Sequence, residues 1–452
     1  MLNCVYLYIG NPNQIQSSSV LTTRHLLMLN ACPGKIVTVM KHDLPHPPVI
    51  VLYLLFITLF YSTNCYAQKF ELEGKRKKYT ISFKTAQNLI IIPLYINGKG
   101  PYNFLLDTGV GQMIITDTAF LKHYQLKKFS TIRVQGYGFG ESVDAILSRD
   151  VNASLGKATI NKIPTAIFTE DVFNLSSYLG IRIYGILGYY FFNSFKVKIN
   201  YEKNTITMYR PGTPVKIKGE KVPLEIRNAK PYIQTEIETP EQGKIKLDML
   251  LDNGSSHPMT LEALNQSAFP LPKNNIAANL GVGINGIISG SIARVSKLKI
   301  GAYNFDNVLT GFPAYNKEIS QLEGNIRNGS IGADILKHFI VTFDYENEAI
   351  YLKKNHSGQI KFEHDMAGME IYVVENNVRR YYIGRIEPDS PAEKAGLHPD
   401  DEILSVDLKN MAYYDLSELT ELFKSKDGRL MIIEVLRGKD RYFILLRLKR
   451  RI

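Results

Sequence analysis

The chain has 452 residues, of which 45% are hydrophobic, so it can bury the cores of two or three ordinary domains. Its formal net charge is +11, but the Lys and Arg residues are scattered, and no zinc-finger, helix-turn-helix or RNA-binding signature accompanies them. We therefore interpret the charge as a solvated basic surface and expect no nucleic-acid partner.

The first 67 residues have the pattern of an export signal. Residues 49–61 form an apolar run that follows Lys41 and precedes a short stretch ending in Ala67. The run has the length of a secretory signal and is too short for a comfortable membrane span. Cleavage after Ala67 would remove all three cysteines and leave a mature protein without disulfides in the periplasm, cell envelope or extracellular space. Lipid attachment at Cys65 stays open, so membrane contact is expected only through an uncleaved signal or such an anchor.

The next region, residues 68–354, alternates short β-rich runs, for instance residues 89–96, with Gly, Asn and Pro, which predicts a mostly β structure. Two of the apolar runs lead directly into similar turns, 145 residues apart. Other landmarks recur at offsets of 144 or 145, which indicates a duplicated domain with lobes at 68–212 and 213–357. The residues of the two turns are Asp107, Thr108, Gly109 and Asp252, Asn253, Gly254.

The repeated turns predict a pair of carboxyl groups. If the turns face each other across the lobe interface, Asp107 and Asp252 come within hydrogen-bond reach. Two carboxylates at that distance cannot both stay ionised, so they hold one proton between them. One can then take a proton from a bound water while the other donates a proton to a carbonyl oxygen. This chemistry hydrolyses amides, and we expect it to use no metal and no cofactor.

These residues resemble the aspartic peptidases of the pepsin and retropepsin type, in which each lobe contributes one Asp-Thr/Ser-Gly turn. The resemblance covers residues 85–354 and includes the apolar-apolar-Gly element, at 186–188 and again at 330–332. It implies a bilobal β fold, polypeptide substrates, and Asp107 and Asp252 as the catalytic pair. It also implies turn-bracing residues, Thr108, Gly109, Asn253, Gly254 and Ser255, and residues of flap hairpins, Gly136, Tyr137, Gly138, Gly281, Gly283 and Ile284.

The second lobe departs further from the family pattern than the first. Asn253 stands where Thr or Ser sends a hydroxyl across the lobe interface, and Ser330 replaces an apolar residue. Val110 stands where a Ser would often bond the outer carboxylate oxygen, an option that Ser255 keeps in the second lobe. The sequence leaves one alternative open, a non-catalytic peptide-binding envelope protein that keeps the turns for folding.

Three other enzyme classes lack support. Residues 281–286 match a Gly-x-Gly-x-x-Gly dinucleotide fingerprint, but the following residues predict a strand or turn and not the helix that the fingerprint must open. The nine histidines have no metal-ligand spacing, and no Gly-x-Ser-x-Gly elbow occurs. The glycine run therefore favours a flap hairpin.

The C-terminal residues 358–452 form a different kind of unit. Asp415 and Glu418 predict a capped helix that ends at residues 426–428 and is followed by two β runs. Residues 385–404 resemble the Ser-Pro-Ala, Ala-Gly-Leu and Gly-Asp-x-Ile run of bacterial PDZ domains, with Asp400 in place of the usual Gly. The resemblance implies a small α+β PDZ domain whose groove accepts a protein C-terminus, although it could also only pack on the lobes. Its carboxylate-binding loop is expected at Ala367, Gly368, Met369, Glu370 and Ile371.

Overall fold

The computed structural model describes residues 8–9, 68–117, 120, 129–135, 142–315, 327–356, 360–376 and 378–452. The predicted export signal and Cys65 lie outside these residues, as do Gly136, Tyr137 and Gly138 of the first predicted flap. The described residues from 68 onward belong to one compact unit. None of the helices described is long and apolar enough to span a membrane.

The first repeat is dominated by one sheet. Its elements are β1 (Tyr8–Ile9), β2 (Glu71–Leu72), β3 (Lys78–Ser82), β4 (Lys84–Ala86), β5 (Leu89–Ile96), β6 (Lys99–Leu106), β7 (Met113–Ile115), β8 (Phe129–Gln135), β9 (Val143–Leu155), β10 (Ala158–Phe168), α1 (Leu175–Leu179), β11 (Gly185–Leu187), α2 (Tyr189–Phe192), β12 (Lys196–Asn200) and β13 (Thr205–Tyr209). The sheet has the order β1-β8-β9-β10-β7-β11-β6-β5-β4, with β2 added to β10. Strand β5 also pairs with β9, so it is covered on both edges and buries most of its side chains.

The second repeat forms an equivalent sheet. Its elements are β14 (Glu220–Pro223), β15 (Glu225–Arg227), β16 (Lys230–Thr239), β17 (Gly243–Asp252), β18 (Met259–Leu261), β19 (Ala263–Leu264), β20 (Ser267–Ala268), β21 (Asn275–Gly283), β22 (Gly286–Ile300), β23 (Tyr303–Pro313), β24 (Gly329–Gly332), α3 (Ala333–Leu336), β25 (Phe339–Asp344), a 3₁₀ turn (Tyr345–Asn347) and β26 (Ala349–Lys354). The order is β15-β16-β17-β24-β18-β23-β22-β21, and β19 pairs separately with β20. Strands β6 and β11 are parallel in the first repeat, as are β17 and β24 in the second.

A third sheet joins the two repeats. Its six strands have the order β14-β26-β25-β12-β13-β3, so each repeat contributes three. Strands β12 and β25 pair in antiparallel fashion, with Val197 opposite Phe343 and Ile199 opposite Val341, and these four side chains are fully buried. One apolar cluster extends through both lobes and this sheet. The predicted bilobal, mostly β fold is therefore confirmed, whereas the predicted domain boundaries stay predictions.

The C-terminal unit has its own sheet and its own apolar cluster. Its elements are β27 (Met369–Asn376), β28 (Val378–Ile386), α4 (Pro391–Ala395), β29 (Glu402–Val406), β30 (Lys409–Asn410), a 3₁₀ turn (Met411–Tyr413), α5 (Leu416–Phe423), β31 (Leu430–Arg437) and β32 (Asp440–Arg447). The strands have the order β27-β28-β29-β31-β32, with β30 added to β29. This arrangement confirms a small α+β unit at the C-terminus.

Local capping explains the two helices of this unit. Helix α4 begins after Ser390, whose hydroxyl accepts a hydrogen bond from the Glu393 N–H, and it ends at Gly396 with a φ of 83°. Helix α5 begins with the predicted capping box of Asp415 and Glu418. It ends at Phe423 and not at residues 426–428 as predicted, because the last turn tightens into short-range backbone bonds.

Candidate active site

Each aspartate turn follows a buried strand that holds it in place. Phe104, Leu105 and Leu106 at the end of β6 are fully buried against β11, and the Asp107 N–H donates to the Leu187 carbonyl at 2.9 Å. In the second lobe, β17 runs into Asp252 while pairing with β24 in the same parallel manner. The same parallel pair of strands therefore holds the aspartate turn in place in each lobe.

The two carboxyl groups meet at the lobe interface, as the sequence predicts. A Cβ added at Gly109 would lie 3.1 Å from Oδ1 of Asp107 and 3.1 Å from Oδ1 of Asp252. A Cβ added at Gly254 would overlap the Asp107 carboxyl group. Each turn also bonds its own aspartate, because the Gly109 N–H donates to Asp107 at 2.7 Å and the Gly254 N–H donates to Asp252 at 3.1 Å. The close approach of the two carboxyls therefore requires glycine at position 254 and leaves little room for a side chain at position 109.

Burial and mutual repulsion change the acidity of this pair. Asp107 is 1% exposed and Asp252 is fully buried. Burial raises the pKa of Asp107 well above its usual range, and the neighbouring Asp252 carboxyl raises it further. The Gly109 N–H and the positive charge of Lys230 oppose these effects only in part. The environment therefore favours one shared proton on the pair.

Thr108 and Asn253 brace the turns reciprocally. The Thr108 hydroxyl accepts a bond from the Asn253 N–H at 3.1 Å and donates to the Leu251 carbonyl at 2.7 Å. The Asn253 side chain accepts from the Thr108 N–H at 2.7 Å and donates to the Leu106 carbonyl at 2.9 Å. An amide has separate donor and acceptor atoms, so it can make both bonds that a hydroxyl makes with one oxygen. Asn253 thus completes the brace despite its departure from the family pattern.

The apolar-apolar-Gly elements pack behind the turns. The Tyr189 N–H donates to the Val110 carbonyl at 2.8 Å, and the Ala333 N–H donates to the Ser255 carbonyl at 2.7 Å. A Cβ added at Gly188 would overlap the backbone at Val110, so this position requires glycine. Val110 and Ser255 are both buried and accept matching backbone bonds, so they hold equivalent positions in the two lobes.

The predicted flap of the second lobe is a hairpin between β21 and β22. Gly281 and Gly283 lie in β21, and Ile284 is in the turn that follows. Ile284 is 1% exposed and belongs to an apolar cluster otherwise made mostly of first-lobe residues, including Val110 and Ile114. The hairpin tip is therefore closed onto the first lobe.

The predicted carboxylate-binding loop lies at the start of β27, and part of it is already engaged. The N–H groups of Ala367 and Gly368 donate to Asp365 at 2.5 and 2.7 Å. Glu370, also in the loop, accepts a bond from the Asn279 side chain at 3.0 Å. Burial raises the pKa of Glu370. Met369 and Ile371 continue the loop as β27 and line a cavity beside it.

Sequence reasoning did not identify Lys230 as part of this site. It is a buried residue at the first position of β16, and its charge acts on Asp107. Positive φ angles at Gln87 and Asn88 recur at Asn228 and Ala229, which puts Lys230 in the place of a first-lobe leucine. The alignment of Lys230 with Leu89 could have identified this residue. It rests on matching φ angles, which the sequence does not show.

Among the residues the structure describes, no group of three or more His, Cys, Asp or Glu side chains could hold a metal ion. The chemistry that the arrangement supports is proton exchange between a bound water, two carboxyl oxygens and a substrate carbonyl.

Comparisons with known proteins agree with this geometry. Residues 92–191 match the family model described as aspartyl protease, and residues 382–437 match that of the PDZ domain. A crystal structure of aspartic proteinase from Irpex lacteus is similar to this chain with 12% sequence identity and a TM-score of 0.39. The match covers 62% of this chain and 98% of that chain. No similar curated protein was found. The chain therefore combines an aspartyl protease-like region with a C-terminal PDZ domain, which confirms both resemblances.

Proposed function

We propose that this chain is an aspartic endopeptidase that hydrolyses peptide bonds with a water activated by Asp107 and Asp252. The observation that carries the proposal is the approach of two buried carboxyl groups on two turns that brace each other. The match of residues 92–191 to aspartyl proteases supports the same reaction class. Polypeptides are the proposed substrates.

The proposed reaction needs only the shared proton and one water. The ionised carboxylate takes a proton from the water as its oxygen attacks the peptide carbonyl carbon. The protonated carboxyl gives its proton to the carbonyl oxygen, which produces a tetrahedral diol. The C–N bond then breaks as one carboxyl protonates the amide nitrogen and the other takes a proton from a diol hydroxyl, which re-forms the carbonyl and returns the pair to its starting state. The raised pKa of Asp107 keeps a proton available for this exchange at acidic to neutral pH.

We propose two further features from the sequence. The apolar run before Ala67 supports export to the periplasm, cell envelope or extracellular space. N-terminal sequencing of the mature protein would begin at Gln68 if cleavage follows Ala67, and an unprocessed N-terminus would contradict it. The PDZ match supports binding of substrate or partner C-termini in the groove between β27 and α5.

The carboxyl pair is tested by replacing each member separately. Asp107→Asn and Asp252→Asn should each lower cleavage of an unbiased peptide library by at least about 10²-fold, because each removes one partner of the proton exchange. Mass spectrometry between pH 3 and 8 detects the products, and thermal melting checks that the variants fold. Asp306→Asn, an exposed position on β23, is the matched control.

Two results would contradict the proposal. If either Asp→Asn variant cleaves as well as the wild type, the pair does not activate water. If the wild type binds peptides but never cleaves them across this pH range, the chain is instead a non-catalytic peptide-binding envelope protein.

A further inference from the structure

The groove of the PDZ domain is partly occupied by another part of the chain. Helix α1 of the first lobe packs against β27, which is one wall of the groove. Gly180, the left-handed residue that ends α1, lies between both walls. A Cβ added there would be 3.1 Å from Cβ of Leu416 on α5 and 3.4 Å from Cγ2 of Val373 on β27. The segment from Leu175 to Gly180 therefore sits where an extended ligand would lie.

A second contact joins the first lobe to the N-terminal half of α5. The Gln87 N–H donates to the Ser417 hydroxyl at 3.1 Å. Its side-chain amide donates to the Leu416 carbonyl at 3.3 Å and to the Thr420 hydroxyl at 2.9 Å. Three hydrogen bonds from one residue fix the PDZ helix against the turn between β4 and β5. The docking is therefore specific and does not depend on apolar contact alone.

A third contact links the PDZ domain to the flap hairpin. The Asn279 side chain donates to Glu370 at 3.0 Å and accepts from the Gly281 N–H at 2.9 Å. The pairing of β21 with β22 shifts register between Asn279 and Val282, so this amide holds an irregular point of the hairpin. The same hairpin carries the buried Ile284 at its tip. PDZ docking therefore holds the hairpin in its closed position.

The seam between these parts is not fully packed. A cavity of about 100 Å³ is lined by Leu89 and Leu179 of the first lobe, Val282 of the hairpin, and Met369 and Ile371 of the PDZ domain. A void deprives its lining of dispersion contacts, so such a seam separates more easily than a close-packed core. This favours docking that can be reversed.

The loop chemistry also favours an internal ligand over a free chain end. The amides of Ala367 and Gly368 are bonded to the chain's own Asp365, so an incoming terminal carboxylate must compete for them. The segment from Leu175 to Gly180 brings no terminal charge and avoids this competition. These bonds favour a segment of the first lobe as the ligand of the groove.

We propose that the PDZ groove holds the segment from Leu175 to Gly180 as an internal ligand, and that a polypeptide end enters only by displacing it. Displacement separates Glu370 from Asn279 and frees the hairpin of β21 and β22 to uncover the carboxyl pair. The exchange of ligands in the groove stands by itself, whereas its effect on cleavage rests on the proposed peptidase function.

A reversible crosslink tests this exchange. Gly180→Cys and Leu416→Cys are introduced into the full chain together with Cys4→Ser, Cys32→Ser and Cys65→Ser. A Cβ separation near 3.1 Å needs to widen by only a few tenths of an ångström to suit a disulfide. The oxidised and reduced forms of the same molecule are compared, so any strain from the new side chains is common to both.

Two readouts separate this inference from the peptidase function. Binding of a fluorescein-labelled peptide that ends in Leu-Ser-Ser-Tyr-Leu, the sequence of α1 with a free carboxylate, is measured in an Asp107→Asn background. Oxidation should weaken binding at least tenfold, and reduction should restore it. In the catalytic background, oxidation should slow peptide cleavage at least tenfold. The binding result decides the inference even if the wild type cleaves nothing.

A loosening variant gives the opposite change. Gln87→Ala removes two side-chain bonds to α5 and should raise peptide affinity about tenfold. Gln242→Ala, an exposed glutamine in the second lobe, is the control and should change nothing. Equal peptide binding by the oxidised and reduced proteins would overturn the inference, and so would a failure of both the reduced form and Gln87→Ala to bind the peptide.

Discussion

A threonine hydroxyl of the first lobe braces the second lobe's aspartate turn, whereas an asparagine amide of the second lobe braces the first lobe's turn. Each side chain accepts the partner turn's N–H and donates to the carbonyl two residues before the partner. The residue types differ, yet the pattern of one donor and one acceptor is the same. The position therefore requires a side chain that can both donate and accept a hydrogen bond across the interface. A motif that allows only Thr or Ser there would miss the equivalent role of Asn253.

The largest expected effects come from removing either brace. Thr108→Ala leaves the Asn253 N–H and the Leu251 carbonyl without this partner, and Asn253→Ala does the same to the Thr108 N–H and the Leu106 carbonyl. Each buried N–H or carbonyl that loses its partner costs about 1–3 kcal/mol. Each variant leaves two such groups and should therefore lose about 2–6 kcal/mol of unfolding free energy. Urea denaturation measures the loss, which should be similar for the two lobes.

Two kinds of control sharpen this comparison. Thr165→Ala and Thr310→Ala remove buried hydroxyls that bond only a nearby carbonyl in their own lobe, and they should cost less. Asn253→Thr restores the first-lobe residue and should lie within about 1 kcal/mol of the wild type. If Asn253→Ala costs no more than Thr310→Ala, the amide is not a true brace.

The cost of replacing the turn glycine with alanine should differ between the two lobes. A Cβ at Gly254 would overlap the Asp107 carboxyl, whereas a Cβ at Gly109 meets the two carboxyls at 3.1 Å. Gly254→Ala should therefore cost about 1–3 kcal/mol and abolish peptide cleavage, and Gly109→Ala should be milder. Thermal melting and cleavage assays of the pair measure both effects. Equal or reversed losses would contradict the asymmetry.

Asp107 of the first lobe and His257, a buried histidine of the second lobe, should give opposite dependences of stability on pH. The raised pKa of Asp107 means that the folded state binds the extra proton, so stability falls as pH rises from about 4 through that pKa. Burial lowers the pKa of His257 to about 3, so this residue costs stability as pH falls from about 6.5 toward 3. Each slope approaches about 1.4 kcal/mol per pH unit.

Replacing Asp107 or His257 should remove the part of the pH dependence of stability that this residue causes. Urea denaturation between pH 3 and 8 should show Asp107→Asn without the loss at rising pH and His257→Gln without the loss at falling pH. His257→Gln installs the residue of the equivalent first-lobe position, Gln112, so it makes the two lobes alike. Unchanged slopes in both variants would show that these groups do not control the acid and base limits of stability.

Much of the fold could be predicted because its signals are local. Strand β5 occupies the predicted run at residues 89–96, and the capping box starts α5 where Asp415 and Glu418 predict it. The end of α5 was predicted less well, since a helix terminus depends on small differences among backbone bonds. The pairing of Asp107 with Asp252 followed from the repeat, because equal lobes place equal turns at one interface.

The sequence by itself determined the duplication, the two aspartate turns and the PDZ-like unit, because periodicity, turn residues and caps act over a few neighbouring positions. Only the tertiary structure decided that an amide completes the brace, that Lys230 acts on Asp107, and that Gln87 and Asn279 fasten the PDZ domain. These contacts join residues far apart in the chain, and their geometry depends on how whole sheets pack.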